Sequence, residues 1–133
     1  FDLFIKMMPV TEVHRAMTRE IKAFDREIHA YTKLLQQIRE VQTTSADPVE
    51  PRWARCYYTC RNLKTKLCAL VLEDLTARGF RIMNRKISLE FAHAVLAVRA
   101  FATTHALTFN LKFVRGAETM LLDNAQLLDD PFE

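Results

Sequence analysis

A chain of 133 residues, half of them hydrophobic and about a quarter charged, is long enough for one globular domain with a real core. Its formal charge of +3, from 19 basic against 16 acidic residues, is slight, and the basic residues are spread through the sequence, which argues against nucleic acid or a membrane surface as partner. The apolar runs all stop short of the roughly 18 residues that a membrane span needs.

The sequence opens on Phe1-Asp2-Leu3, directly in a strand-like run, with no charged leader and no initiator methionine. It therefore reads as a piece of something longer, without a secretory signal. Cys56, Cys60 and Cys68 are odd in number and follow neither a paired zinc spacing nor a disulfide framework. With no Asn-x-Ser/Thr sequon in the chain, they point to free thiols and a reducing, cytoplasmic address.

In chain order, residues 3–7 alternate as a strand does and are stopped by Pro9. Thr11 is placed to cap a long helix over residues 12 to about 41, in which Val13, Met17, Ile21, Phe24, Ile28, Tyr31, Leu35 and Ile38 form one apolar stripe. A polar linker with two prolines, residues 42–51, ends it. Two β-prone runs follow, residues 55–60 and 67–72, joined by a hairpin loop over residues 61–66. The second run is apolar on both faces, as a covered central strand is, and breaks into Glu73-Asp74-Leu75 with a turn at Gly79. Ser88 is a good N-cap for a helix to about residue 107 that is apolar in nearly every direction and wants burial on all sides. Residues 116–128 predict one more amphipathic helix, ahead of Asp129-Asp130-Pro131.

Two glutamates depart from the pattern of the long helix. At about 100° per residue, Arg15, Arg19, Lys22, Asp25, Arg26, His29, Lys33 and Gln36 fall on the solvated side, whereas Glu20 and Glu27 fall inside the apolar arc. A carboxylate facing a core needs a cation, and Lys6, at the end of the first strand, is the candidate. A strand lysine held by a helix glutamate is a device for gripping nucleotide phosphates. The plainer alternative is an exposed strand-end lysine and a glutamate that reaches out of the stripe. Glu20, two turns earlier on the same face, competes for the role.

Other candidates are weaker. With two glycines in the chain, no Gly-rich phosphate loop can be built. His105 lies on an apolar line and reads as a core histidine with a satisfied hydrogen bond, while His14, His29 and His93 point to polar faces. Asp123, Asp129 and Asp130 sit at a helix end without partner ligands and read as solvated.

Several segments together carry a resemblance. Phe24-Asp25-Arg26-Glu27-Ile28-His29-Ala30-Tyr31, then Arg55-Cys56-Tyr57-Tyr58, then Leu70-Val71-Leu72-Glu73-Asp74-Leu75 with Gly79-Phe80, resemble the ecdysteroid kinase-like (CHK kinase-like) proteins of insects, relatives of choline kinase and aminoglycoside phosphotransferases. The resemblance covers about residues 3–107. It implies an α+β, protein-kinase-like fold in partial form: residues 1–72 as a small lobe lacking its first strands, 73–79 as the hinge, and 80–133 as the start of the large lobe. It also implies ATP and magnesium as cofactors and a small-molecule alcohol, ecdysteroid-like or choline-like, as phosphate acceptor. Lys6 would contact ATP phosphates, Glu27 would pair with it, and the backbone of Glu73, Asp74 and Leu75 would hold adenine.

The departures are as informative. The family's helix closes with an aromatic before His-Ala, where this chain has Thr104 before His105-Ala106. Its catalytic His-Gly-Asp loop with a metal-binding Asn, and the Asp of its second magnesium motif, are not among these residues. Nor are the two strands and phosphate loop that would precede Leu3. Positioning and charge neutralisation supply nearly all of phosphoryl-transfer catalysis, so the expectation is a kinase fragment that does not turn over alone. The competing readings are a non-catalytic helical interaction module, whose apolar helix docks a partner, and a pseudokinase remnant.

Overall fold

Alternating side chains and the stop at Pro9 make Leu3–Met7 a strand, β1, as the sequence predicts. The computed structural model of the protein describes residues 2–49, 53–62, 67–84, 86 and 89–128. The two later β-prone runs form β2 (Cys56–Asn62) and β3 (Leu67–Glu73), each close to its expected bounds. Of the expected hairpin loop, residues 63–66 lie outside the described residues. The strands make a three-stranded antiparallel sheet in the order β1-β3-β2, with Lys6 opposite Leu70, Leu3 opposite Glu73, and a bulge between Cys56 and Tyr58. β3 is central, but it is buried on one face only, through Leu70 and Leu72; Leu67 on the other face is exposed.

The long helix expected from the stripe is broken twice. It comprises α1 (Glu12–Glu20), α2 (Ala23–His29) and α3 (Leu35–Thr43), with a wide π turn, Ala30–Leu34, between the last two. The first break falls at Lys22, whose φ of 50° is uncommon for a residue with a side chain. The second inserts extra residues into the turn and rotates α3 about its axis relative to α2. Thr11 stands at the N-cap with extended backbone, but its hydroxyl contacts His14 Nδ1 rather than a backbone N–H.

These breaks reassign the predicted stripe. Val13 and Met17 on α1 are exposed, whereas Phe24, Leu35, Ile38 and Val41 are buried. Two apolar clusters result. Phe24 of α2 packs on Leu70 and Leu72 of β3, with Met8, Ile28 and Tyr31 around them. Ile38 and Val41 of α3 pack on Leu107 and Leu111, with Leu34, Trp53 and Met120.

Leu107 and Leu111 belong to α4 (Phe91–Arg115), which runs past the expected end because nothing breaks it before Gly116, at φ +84°. Ser88, the expected N-cap, lies outside the described residues, and Glu90 occupies the cap position. Only one stripe of α4 is covered; Phe91, Phe101, Phe109 and Phe113 all stand exposed. The expected last helix is α5 (Ala117–Asp123) followed by a single 3₁₀ turn, Ala125–Leu127. Asp129 and Asp130 lie outside the described residues. No helix among the described residues is long and apolar enough to cross a membrane.

Candidate functional site

The face of the sheet that carries α2 also carries Lys6. Its Nζ lies 2.6 Å from Glu27 Oε2, and 5.8 Å from the centre of the Phe24 ring. That ring position is within the range where an aromatic face attracts a cation. The two side chains are 45 % and 27 % exposed, so the pair sits at the rim of the core and not inside it. Glu20, the competing glutamate, is exposed and belongs to α1, on the far side of the break at Lys22.

The negative field of Glu27 is felt by its neighbours. Burial pushes the Tyr31 phenol above its ordinary range, and the Glu27 carboxylate adds to that, as does Cys56. Burial likewise pushes the Cys56 thiol up; a backbone hydrogen bond with Tyr58 opposes this, and Glu27 reinforces the rise. Cys68 is also raised, chiefly by burial. All three cysteines are free.

Three rungs along the same β1–β3 ribbon, about 10 Å at a strand's rise per residue, β3 ends in the polar connector. Both connector carboxylates brace it. Glu73 accepts the Arg55 backbone N–H at 3.2 Å and an Arg78 guanidinium N–H at 3.0 Å, which together hold its carboxyl below the usual range. Asp74 accepts the Thr76 hydroxyl at 2.7 Å and the Thr76 N–H at 2.8 Å, and is held low by them. It thereby caps the 3₁₀ turn Leu75–Arg78, which closes at Gly79 with φ +88°. On the backbone, the Asp74 N–H donates to the Asp2 carbonyl and the Leu75 carbonyl accepts from the Phe80 N–H.

Several placements differ from expectation. His29, assigned to the polar side of the helix, is buried against Asn124 and Gln126. His105, read as a core histidine, is exposed on α4. Asp123, read as solvated, is gripped by Lys33 at 3.1 Å and Gln37 at 2.9 Å, with Arg115 at 4.0 Å, and its carboxyl is held below the usual range, chiefly by Lys33. Asp25 pairs with Arg61 at 2.6 Å, tying α2 to the end of β2. The pairs His29–Asn124, Lys33–Asp123 and Asp25–Arg61 have no sequence signature, because they join residues 95, 90 and 36 positions apart. Among the described residues, no group of three or more His, Cys, Asp or Glu side chains is gathered as a metal ion requires.

A strand lysine ion-paired to a helix glutamate, on an α+β framework, is the pattern of kinase-like phosphotransferases. The profile of the Ecdysteroid kinase-like family matches residues 1–130, and the chain belongs to that family. No curated protein and no solved structure matches the chain.

Proposed function

We propose that the chain is the nucleotide-handling part of an ATP-dependent small-molecule kinase that phosphorylates an alcohol, ecdysteroid-like or choline-like. Residues 1–72 form its small lobe, 73–79 its hinge and 80–133 the start of its large lobe. The observation that carries this reading is the 2.6 Å contact between Lys6 and Glu27 at an open rim. Glu27 aims the ammonium, and the exposure of the pair leaves donor N–H groups for phosphate oxygens. The connector lies about 10 Å along the ribbon, a span of the order of an extended nucleotide. With the Asp74 N–H and Leu75 carbonyl already engaged, adenine recognition falls to the Glu73 carbonyl and the Leu75 N–H.

Magnesium, the family's metal, would supply charge neutralisation at the phosphates, but the described residues do not gather its ligands. The 133 residues contain no His-Gly-Asp sequence to activate an acceptor hydroxyl. They bind and orient; they do not transfer. A non-catalytic interaction module is the rival that the bare apolar surface of α4 favours.

Titration of the chain with a fluorescent ATP analogue separates the two. The kinase reading expects saturable binding, weakened about tenfold or more in Lys6→Met, the loss of a charge-assisted contact. No binding, or binding untouched by Lys6→Met, overturns it. Robust phosphate transfer by the 133-residue chain would refute the statement that it lacks turnover.

A further inference from the structure

We propose that the C-terminal segment, α5 with the following 3₁₀ turn, is a clasp that positions Glu27 by holding His29. Two irregularities isolate α2. The αL residue Lys22 uncouples it from α1, and the π turn Ala30–Leu34, though its backbone stays helical, changes the winding between it and α3. A seven-residue helix bounded in this way takes its rotation from its packing partners. Glu27 and His29 are two residues apart, about 200° around the axis, and so lie on opposite sides. Glu27 meets the sheet at Lys6; His29 meets the clasp.

The hydrogen bonds of the clasp run in one direction with every role filled. The Asn124 amide nitrogen donates to Gln37 Oε1 at 3.1 Å and to the Met120 carbonyl at 3.0 Å. Both its protons are thereby used, so Asn124 Oδ1 is the acceptor that faces His29 Nε2 at 2.9 Å. His29 must therefore carry its proton on Nε2, which leaves Nδ1 to accept from the Gln126 amide nitrogen. Beyond Asn124, Gln37 donates to Asp123, whose charge is met by Lys33. His29 is 9 % exposed and Asn124 2 %, so water does not readily replace a lost partner. A helix held by Phe24 on one side and His29 on the other has one rotation that satisfies both, and it is the one that sets Glu27 against Lys6.

The functional weight of this coupling rests on the phosphate-gripping role proposed for Lys6, whereas the coupling itself does not. Its test is made on the full chain without nucleotide. The readouts are the side-chain ammonium NMR signal of Lys6 and amide hydrogen exchange over residues 23–29. Gln126→Ala, at an exposed position that tolerates change, and Asn124→Ala are expected to shift or broaden the Lys6 signal. Both are expected to speed exchange in α2 by about tenfold. His29→Gln, which keeps a donor and an acceptor, is expected to retain much of the wild-type signal. Arg19→Ala is the control, because it removes a contact to Glu12 within α1, on the far side of Lys22 from α2 and the clasp. It is expected to leave Lys6 unmoved. If Gln126→Ala lowers stability but leaves the Lys6 signal and α2 exchange as they were, the segment is ordinary packing and the proposal falls. Should the wild-type Lys6 signal ignore added ATP, the nucleotide reading fails while the clasp stands.

Discussion

Lys6 and Leu70 face each other across the β1–β3 ladder, yet Leu70 is wholly buried and Lys6 is about half in water. One rung of the sheet thus spans the passage from core to open rim. The lysine stem lies along Phe24 while its head emerges beside Glu27, as amphipathic side chains do at the edge of an apolar surface.

The ion pair therefore does little for stability. Glu27→Gln is expected to change the free energy of unfolding by about 1 kcal/mol or less, the range for partly exposed pairs. Urea denaturation measures it. A loss above about 3 kcal/mol would identify a buried structural pair instead.

Two apolar clusters make two separable lesions. Leu70→Ala and Leu111→Ala each remove a wholly buried side chain, and each is expected to cost about 2–5 kcal/mol. Trp53 packs only on the cluster that contains Leu111 among the described contacts. Its fluorescence in the native state is expected to change in Leu111→Ala and hold in Leu70→Ala. Equal changes in both would mean that the clusters behave as one core.

Acid sensitivity follows from three carboxyls held below their ordinary range, Glu73, Asp74 and Asp123. A depressed carboxyl contributes stability that is complete above its unfolded value, about 4 for these groups, and is lost as pH falls through the folded one. Stability is expected to be flat from neutral pH to about 5 and to decline below about 4. Asp123→Asn shows a shallower decline, because the protonation it suffers is then absent. Thermal unfolding from pH 7 to 3 checks this; an unchanged slope removes Asp123 from the account.

The uncovered surface of α4 is expected to promote self-association. Phe113 is 82 % exposed, so Phe113→Glu is expected to alter stability by no more than about 0.5 kcal/mol. It is expected to reduce self-association, since large exposed apolar patches drive it. Sedimentation at several concentrations reads the effect. A variant that associates as strongly as the parent would clear this part of the surface.

The strands and their order of appearance were legible because they depend on local rules: the alternation of residues 3–7, the stop at Pro9, and the turn at Gly79 with its positive φ. The lysine and glutamate were legible for a different reason, namely that a charge inside an apolar arc demands a partner. The expected depth of that charge was too great. Helical periodicity projects a side chain's direction only while the helix is unbroken, and the breaks at Lys22 and Ala30–Leu34 occur with neither glycine nor proline to announce them. They leave Val13 and Met17 in water and carry His29 into the interior.

The amino-acid order by itself therefore determined the α+β class, the three strands, and the need of an inward glutamate for a cation. Only the tertiary structure decided which glutamate meets Lys6, which side chains grip His29 and Asp123, and how far α4 is left bare. The reason is physical. Propensity, capping and periodicity act within about one turn or rung of the chain, whereas the pairings Lys6–Glu27, Asp25–Arg61 and His29–Asn124 join residues 21, 36 and 95 positions apart and exist only once packing has brought them together.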